Sequence, residues 1–472
     1  MSHTAKQSAF VQGVLIEDIF DKAVVVAFDA PNQSSDGGAL LLGGLDHTLG
    51  LSRRFAAAIH DPRQQAKVEH DLIEMIRFRI YKLCCGYDDL NDAATLRHDP
   101  LFKFLSDFQR ASHDTPLASP ATLCRLENSI PRRELLRIGH ELMDWQLEHQ
   151  RRLRPGRVRR VTIDLDPTDD PAYGQQQFIA FNTHYDNYVY LPLLAFVTFH
   201  DDHGAEEAEQ FLVGALLRPG SAGATDGARG MLRTLIKKLR EVFPGVIVRV
   251  RLDGGFAAPQ MFEFLEAQQT KYLVNLAPNA VLRRLAEPLL AEARKRAELS
   301  GQSARVYGEI HYQAGTWDAP RRVIVKAEVL LNETKGTKEN PRFVVSNYSE
   351  AADPERLYAH TYCVRGDVEN RIKELHAVGL GRTSCGSFWA NQFRVHLAVA
   401  AYMLIQELRR RASGTELARA QVWRLRETLL KLGATVREVT RKLYVSLPDS
   451  AVFASIWCTI AKGLGRLPLL ET

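Results

Sequence analysis

The chain has 472 residues, 45% of them hydrophobic and 25% charged, so it is long enough for roughly two to four folded units and too apolar to be an extended disordered polymer. Its net charge of +5 permits a nucleic-acid partner without requiring one, and excludes a histone-like polycation. The six cysteines (Cys84, Cys85, Cys124, Cys363, Cys385 and Cys458) form no Cys-x-x-Cys pair and show no zinc-finger spacing, which argues against a disulfide or structural zinc scaffold and fits a reducing compartment.

In chain order, Phe10–Phe28 alternates in places like a short strand or hairpin. From Gly38 the period is helical. Asp71–Cys85 carries apolar residues at three-to-four spacing, with Cys84 and Cys85 as core residues. Ser119 followed by Pro120 is a helix start, and the helix it opens suits either a DNA groove or ordinary packing. A basic linker spans Arg151–Arg160, and with it residues 1–155 form an expected helical N-terminal domain. Two further basic runs, Lys237–Arg240 and Arg409–Arg411, are candidate DNA-backbone contacts or solvated faces.

Val158–Leu165, Phe178–Phe181 and Tyr188–Phe196 read as three strands of an antiparallel meander. Then come a helix (Ala228–Val242), a strand (Val246–Leu252), a helix (Pro259–Gln269) and a strand (Tyr272–Leu276). That order predicts an α/β fold with an RNase H-like core over 156–279. Residues 280–350 read as a β-rich insertion: a charged helix (Leu282–Leu299) and strands at Arg305–Tyr312, Arg321–Leu331 and Arg342–Asn347, the last two joined by a polar turn, Asn332–Asn340. The core resumes over 351–412, and 413–472 is a helical C-terminal tail with one strand at Lys442–Leu447. The start Met-Ser-His-Thr-Ala-Lys-Gln lacks a secretory pattern. The most apolar stretch, Val395–Ile405, is far shorter than the roughly 20 residues a membrane span needs. The expectation is a soluble cytoplasmic protein with no membrane partner.

Three segments carry candidate chemistry. Asp164, Asp166, Asp169 and Asp170 crowd one strand end, which is costly without a cation nearby; an acidic helix cap is the competing reading. Asp253 ends an apolar strand and precedes Gly254 and Gly255, either a ligand site at a strand end or a plain Asp-Gly turn. Tyr362, Arg365, Glu369, Lys373 and His376 recur at three or four residues and would share one helix face, as a site or as solvated ion pairs. No Walker A or nicotinamide fingerprint occurs.

In order, these segments resemble the DDE transposases of bacterial insertion sequences, most nearly insertion-sequence family thirteen-eighty within transposase DDE domain group 1. The resemblance rests on Asp164-Leu-Asp-Pro-Thr-Asp-Asp-Pro171, Gln175–Asp186, Tyr190-Leu-Pro-Leu193, Arg251–Phe256, Tyr362–Leu375, Arg382-Thr-Ser-Cys385 and Ala390–Arg394. It implies Asp166, Asp253 and Glu369 as catalytic acids holding two Mg²⁺ ions (Mn²⁺ as substitute), with Asp164 as the alternative first acid. It also implies DNA or phosphate contacts from Thr168, Tyr362, Arg365 and Lys373. His376 stands where related proteins have Lys, so that contact departs from the pattern. The implied activity is cleavage at insertion-sequence ends and strand transfer into target DNA. The implied state is a homodimer on terminal inverted repeats and target DNA, associated with a bacterial nucleoid. A hydrolysis-only RNase H-like nuclease and an inactive transposase-derived DNA-binding protein are the rival readings.

Overall fold

The computed structural model describes residues 14–16, 24–108, 115–200, 209–332 and 336–464. It is a mixed α/β structure built on one nine-stranded sheet. Its strands are β1 (Arg160–Pro167), β2 (Leu193–His200), β3 (Phe211–Leu216), β4 (Ile247–Leu252), β5 (Lys271–Leu276), β6 (Ala304–Tyr312), β7 (Arg321–Asn332), β8 (Gly336–Glu339) and β9 (Arg342–Ser346). Their spatial order is β6-β7-β9-β5-β4-β1-β2-β3, with β8 on β7. β1, β4 and β5 run parallel, and every other pairing is antiparallel. Residues 304–346 therefore lengthen the central sheet by pairing β9 to β5. Residues 333–335 of the expected turn lie outside the described residues.

The strand period of two divides β1 and β4 between faces. Val161, Ile163 and Leu165 of β1 and Val248, Val250 and Leu252 of β4 enter an apolar core. That core is completed by the helices Ala228–Val242 and Pro259–Ala267, through Leu232, Leu235, Leu239, Phe262 and Leu265. The opposite face carries Thr162, Asp164 and Asp166 beside Arg249, Arg251 and Asp253.

A second core joins both ends of the chain. Helix α1 (Leu72–Cys84), helix α2 (Arg132–Leu153) and helix α3 (Phe388–Arg411) pack together, and helical residues from Ala39 through Leu142 share one apolar cluster with residues 368–460. Cys84 and Cys85 are fully buried in it. Ser119 caps the helix Pro120–Ser129 through Thr122 N–H, and Glu127 on that helix's buried side holds Arg79 at 2.8 Å and Arg394 at 2.7 Å.

Several elements differ from expectation. The meander's third strand is Phe211–Leu216, not Phe178–Phe181. The latter run lies in a separate small sheet of Asp170–Pro171, Asn187–Tyr190 and Ala180–Asn182. Phe178, Phe181 and Tyr188 are too exposed to belong to a central strand. The C-terminal region is only partly helical: Ala434–Val439 and Lys442–Ser446 form a hairpin that pairs with Gln33–Ser34. At the N-terminus Val14–Ile16 pairs with Val24–Val26, and residues 10–13 and 17–23 of that expected hairpin lie outside the described residues. The Arg409–Arg411 run is engaged in ion pairs within the fold. Arg409 is buried on Glu374 at 2.5 Å, and Arg410 and Arg411 sit on Glu407 at 2.6 and 2.9 Å. Lys238 likewise grips Asp144 at 2.5 Å. No helix among the described residues is long and apolar enough to cross a membrane.

Candidate active site

The parallel pairing of β1 with β4 sets Asp164 beside Arg251. One alternation further, Asp166 and Asp253 leave the sheet at adjacent strand ends, where open α/β sheets place ligands. Between them lies Arg365. Its Nη2 is 2.9 Å from Asp166 Oδ1 and 3.7 Å from Asp253 Oδ2, and it also donates to the Leu165 carbonyl at 3.4 Å. Two carboxylates thus converge on one cation. Burial pushes the Asp166 carboxyl up to about 6, against the pull of Arg365 and with the help of Asp253 and Asp164. Burial disfavours the Arg365 charge too, but Asp166, Tyr362 and Asp253 more than offset it, so its pKa is raised.

Asp253 is a turn residue and a site residue at once. Its Oδ1 accepts the Gly255 N–H at 2.8 Å, capping the short helical turn Gly254–Phe256. A Cβ on Gly255 would sit 2.9 Å from that of Ala224, so the second glycine is needed for close packing.

Asp164 is occupied. It is fully buried and accepts Nε and Nη2 of Arg251 at 2.7 and 2.6 Å, while Arg251 Nη1 donates to the Thr361 carbonyl at 2.7 Å. Both of its oxygens are spent within the fold.

The Tyr362–His376 stripe is only partly brought together. Tyr362 Oη donates to the Leu252 carbonyl at 3.4 Å, and His376 Nε2 meets Thr168 Oγ1 at 3.4 Å, so both reach the strand ends. Burial lowers the His376 pKa against Asp169, which disfavours the protonated form expected for a phosphate contact. Glu369 and Lys373 are exposed. The physical reason is winding. Arg356–Tyr362 is a π-helix and Cys363–Gly366 a 3₁₀ turn, and α-helical geometry starts only at Asp367. Spacing by 3.6 residues therefore does not carry the phase from Tyr362 and Arg365 to Glu369. Among the described residues no three His, Cys, Asp or Glu side chains are grouped to hold a metal ion. Asp166 and Asp253 are the pair that fits one, since Mg²⁺ commonly takes one or two carboxylates and fills its other positions with water and phosphate oxygens.

The neighbouring motifs brace this end of the sheet. Asp170, fully buried and pushed up to about 7 by burial, accepts Thr383 Oγ1 at 2.5 Å. Gln176 Nε2 donates to the Thr383 and Cys385 carbonyls, and Gln177 Oε1 accepts the Phe388 N–H at 3.2 Å. The segments 175–177 and 382–385 thereby lock the start of α3 to the acidic loop. Sequence reasoning missed one further residue, Tyr185. It tops the hairpin between Ala180–Asn182 and Asn187–Tyr190. Its pKa is raised by burial and by the charges of Asp169, Asp166 and Asp253. Its sequence signals were the polar Asn182–Asn187 turn and its place in the Gln175–Asp186 stretch.

The family model described as transposase DDE domain group 1 matches residues 16–469. The chain belongs to that transposase family. No curated protein matches it. Among solved structures it is similar to a piggyBac transposase in a synaptic complex with hairpin DNA, at 12% identity and a TM-score of 0.38 over 92% of this chain and 83% of that one, a likeness too loose to argue from.

Proposed function

We propose that this transposase cuts DNA at insertion-sequence ends and joins the freed strand to target DNA, with Asp166 and Asp253 as the acids that hold its divalent metal. The observation that carries this is the convergence of both carboxylates on the single cation Arg365. A guanidinium at that spot stands where positive charge is wanted, and it is equally suited to a phosphate. The strand order β3-β2-β1-β4-β5, antiparallel on one side of β1 and parallel on the other, supports an RNase H-like core.

A divalent metal bound there, Mg²⁺ or Mn²⁺, would stabilise the charge that builds on the attacking and leaving oxygens of the phosphodiester. Glu369 is the proposed third acid. In this conformation it is exposed, one helical turn beyond the π and 3₁₀ segment. Such irregular winding is a common site of functional rearrangement. Rewinding of residues 356–366 to α geometry, with Arg365 moving from Asp166 to a DNA phosphate, would turn Glu369 toward the pair and complete a two-metal set. Tyr362, Thr168, Lys373 and His376 then lie along the substrate strand. The helical N-terminal region and a second copy of the chain on paired inverted repeats complete the reading.

The test uses labelled element-end DNA and a target plasmid with Mg²⁺. Asp166→Asn, Asp253→Asn and Glu369→Gln should each abolish cleavage and strand transfer while melting close to the wild type. Full cleavage by either Asp variant would overturn the assignment. Cleavage without joining by the wild type would make the protein a hydrolytic nuclease instead.

A further inference from the structure

The polar face of the β1–β4 pair does not end at the acids. It runs back through the Asp164–Arg251 pair to a second cluster at the start of both strands. There Arg249 is buried, at 4% exposure. Its Nε donates to Thr162 Oγ1 at 2.9 Å, and its Nη2 lies 3.3 Å from His200 Nε2. A third side-chain hydrogen bond goes to Tyr348, and none of these partners is a carboxylate.

That sets Arg249 apart. Arg79, Arg251, Arg321, Arg322 and Arg409 are as deeply buried, and each meets a carboxylate. Arg218 meets carbonyl groups on four residues. A guanidinium cannot shed its proton in a protein, so burial without a counter-charge is a standing cost.

Arg249 opens onto a cavity of about 340 Å³, lined by Arg160, Tyr348, Asp353, Arg356 and Thr361 among others. Arg160 Nε is buried there without a hydrogen-bond partner. The cavity's one acid, Asp353, is already engaged by the Arg356 backbone N–H at 2.7 Å. The rim is held open: Arg322 donates to the Tyr348, Ser349 and Ala352 carbonyls at 3.4, 2.6 and 2.7 Å.

We propose that this pocket binds a phosphate oxyanion, with Arg249 at its base, Arg160 on its wall and Arg356 at its mouth. Guanidinium forks match phosphate oxygens in pairs, and three of them face one carboxylate here. Burial presses the Arg249 pKa down to about 10, with Tyr348 opposing and the neighbouring Arg160 and Arg251 charges adding to the shift, and a bound anion relieves that pressure. The phosphate has two possible sources: free inorganic phosphate or the DNA backbone. Along β1 the pocket lies about 13–20 Å from Asp166, counted from Thr162 beside Arg249 and from Arg160, or some four to six base pairs at ~3.4 Å each.

Two assays on the full chain separate these sources, and neither needs cleavage, so they stand apart from the acids' role. In the first, inorganic phosphate replaces chloride at fixed ionic strength and melting is followed. In the second, affinity for a duplex oligonucleotide is measured over a salt series. Arg249→Met removes the buried fork, and Arg356→Ala alters only an exposed residue. For free phosphate, wild-type melting rises with phosphate, and the Kd weakens roughly tenfold or more in each variant. For backbone phosphate, the slope of log affinity on log salt falls by about one in each variant. If both variants match the wild type in both assays, the proposal is overturned. Should Arg249→Met not fold, Arg356→Ala alone decides by the same criteria.

Discussion

Replacing Asp164 by Asn probes how the seam beneath the acids is built. Asp164 gives Arg251 two charge-assisted bonds in a site closed to water, at 2.7 and 2.6 Å. Asn keeps one acceptor and turns an NH₂ group toward a guanidinium that has no lone pair to receive it. One bond is lost, the other is weakened, and a full positive charge is left buried with one amide oxygen and the Thr361 carbonyl but no counter-charge. Breaking a buried pair from one side costs about 3–5 kcal/mol. At roughly 2–4 °C per kcal/mol for a domain of 150–250 residues, the first unfolding transition should fall by roughly 6 °C or more. Differential scanning calorimetry at neutral pH reads this. The double variant Asp164→Leu with Arg251→Met removes both charges and should recover most of the loss, because a buried pair adds little over apolar packing of similar volume. A single variant that melts with the wild type, or a double variant no better than the single, would refute the reasoning.

Other outcomes follow from neighbouring contacts. Thr383→Val strips Asp170 of its donor and should cost about 1–3 kcal/mol in a urea titration, with the larger loss above about pH 7, where the Asp170 carboxyl is ionised. Gly255→Ala forces a Cβ to 2.9 Å from Ala224 and shifts the turn that holds Asp253. Element-end cleavage should drop by up to about a hundredfold, and activity equal to the wild type would count against a site at Asp253. His396 is buried, and burial pushes its pKa down to about 4. The unfolded chain takes up that proton near pH 6.5, so stability should rise with pH between about 4 and about 6.5. His396→Leu should flatten that stretch of the stability curve, and an unchanged slope would refute the assignment.

Much of this was legible in local pattern. β4, β5, the helices that flank them and the strands of 304–346 each carry a clear period bounded by glycine, proline or polar turns. Strand Phe211–Leu216 was missed because it is a short apolar run behind an acidic segment. Of the hairpin Ala434–Ser446 the second strand was legible, but its partner Ala434–Val439 was missed because the tip, Thr440-Arg441, carries none of the usual turn residues. At the site, Asp166 and Asp253 were legible as strand-end acids. Asp164 could not be told from Asp166 by alternation, because both face the same way. Only the register, which brings Arg251 alongside, separates them. Arg249 and Arg251 were visible as an alternating pair, but their opposite circumstances depend on what the neighbouring strand offers. The phase of Glu369 was beyond local pattern, because it turns on non-α winding that no residue preference announces.

The shared core of α1, α2 and α3 has a bearing on synthesis. The apolar faces of residues 39–142 pack on one another and, in part, on the helix Phe388–Arg411 and the residues after it. At roughly 5–20 residues per second a ribosome takes on the order of tens of seconds to span that gap. Through that interval the early helices have one another but lack the helix Phe388–Arg411. They are the stretch most exposed to chaperone capture or misassembly, and a fragment ending near residue 155 would leave the same faces open to solvent.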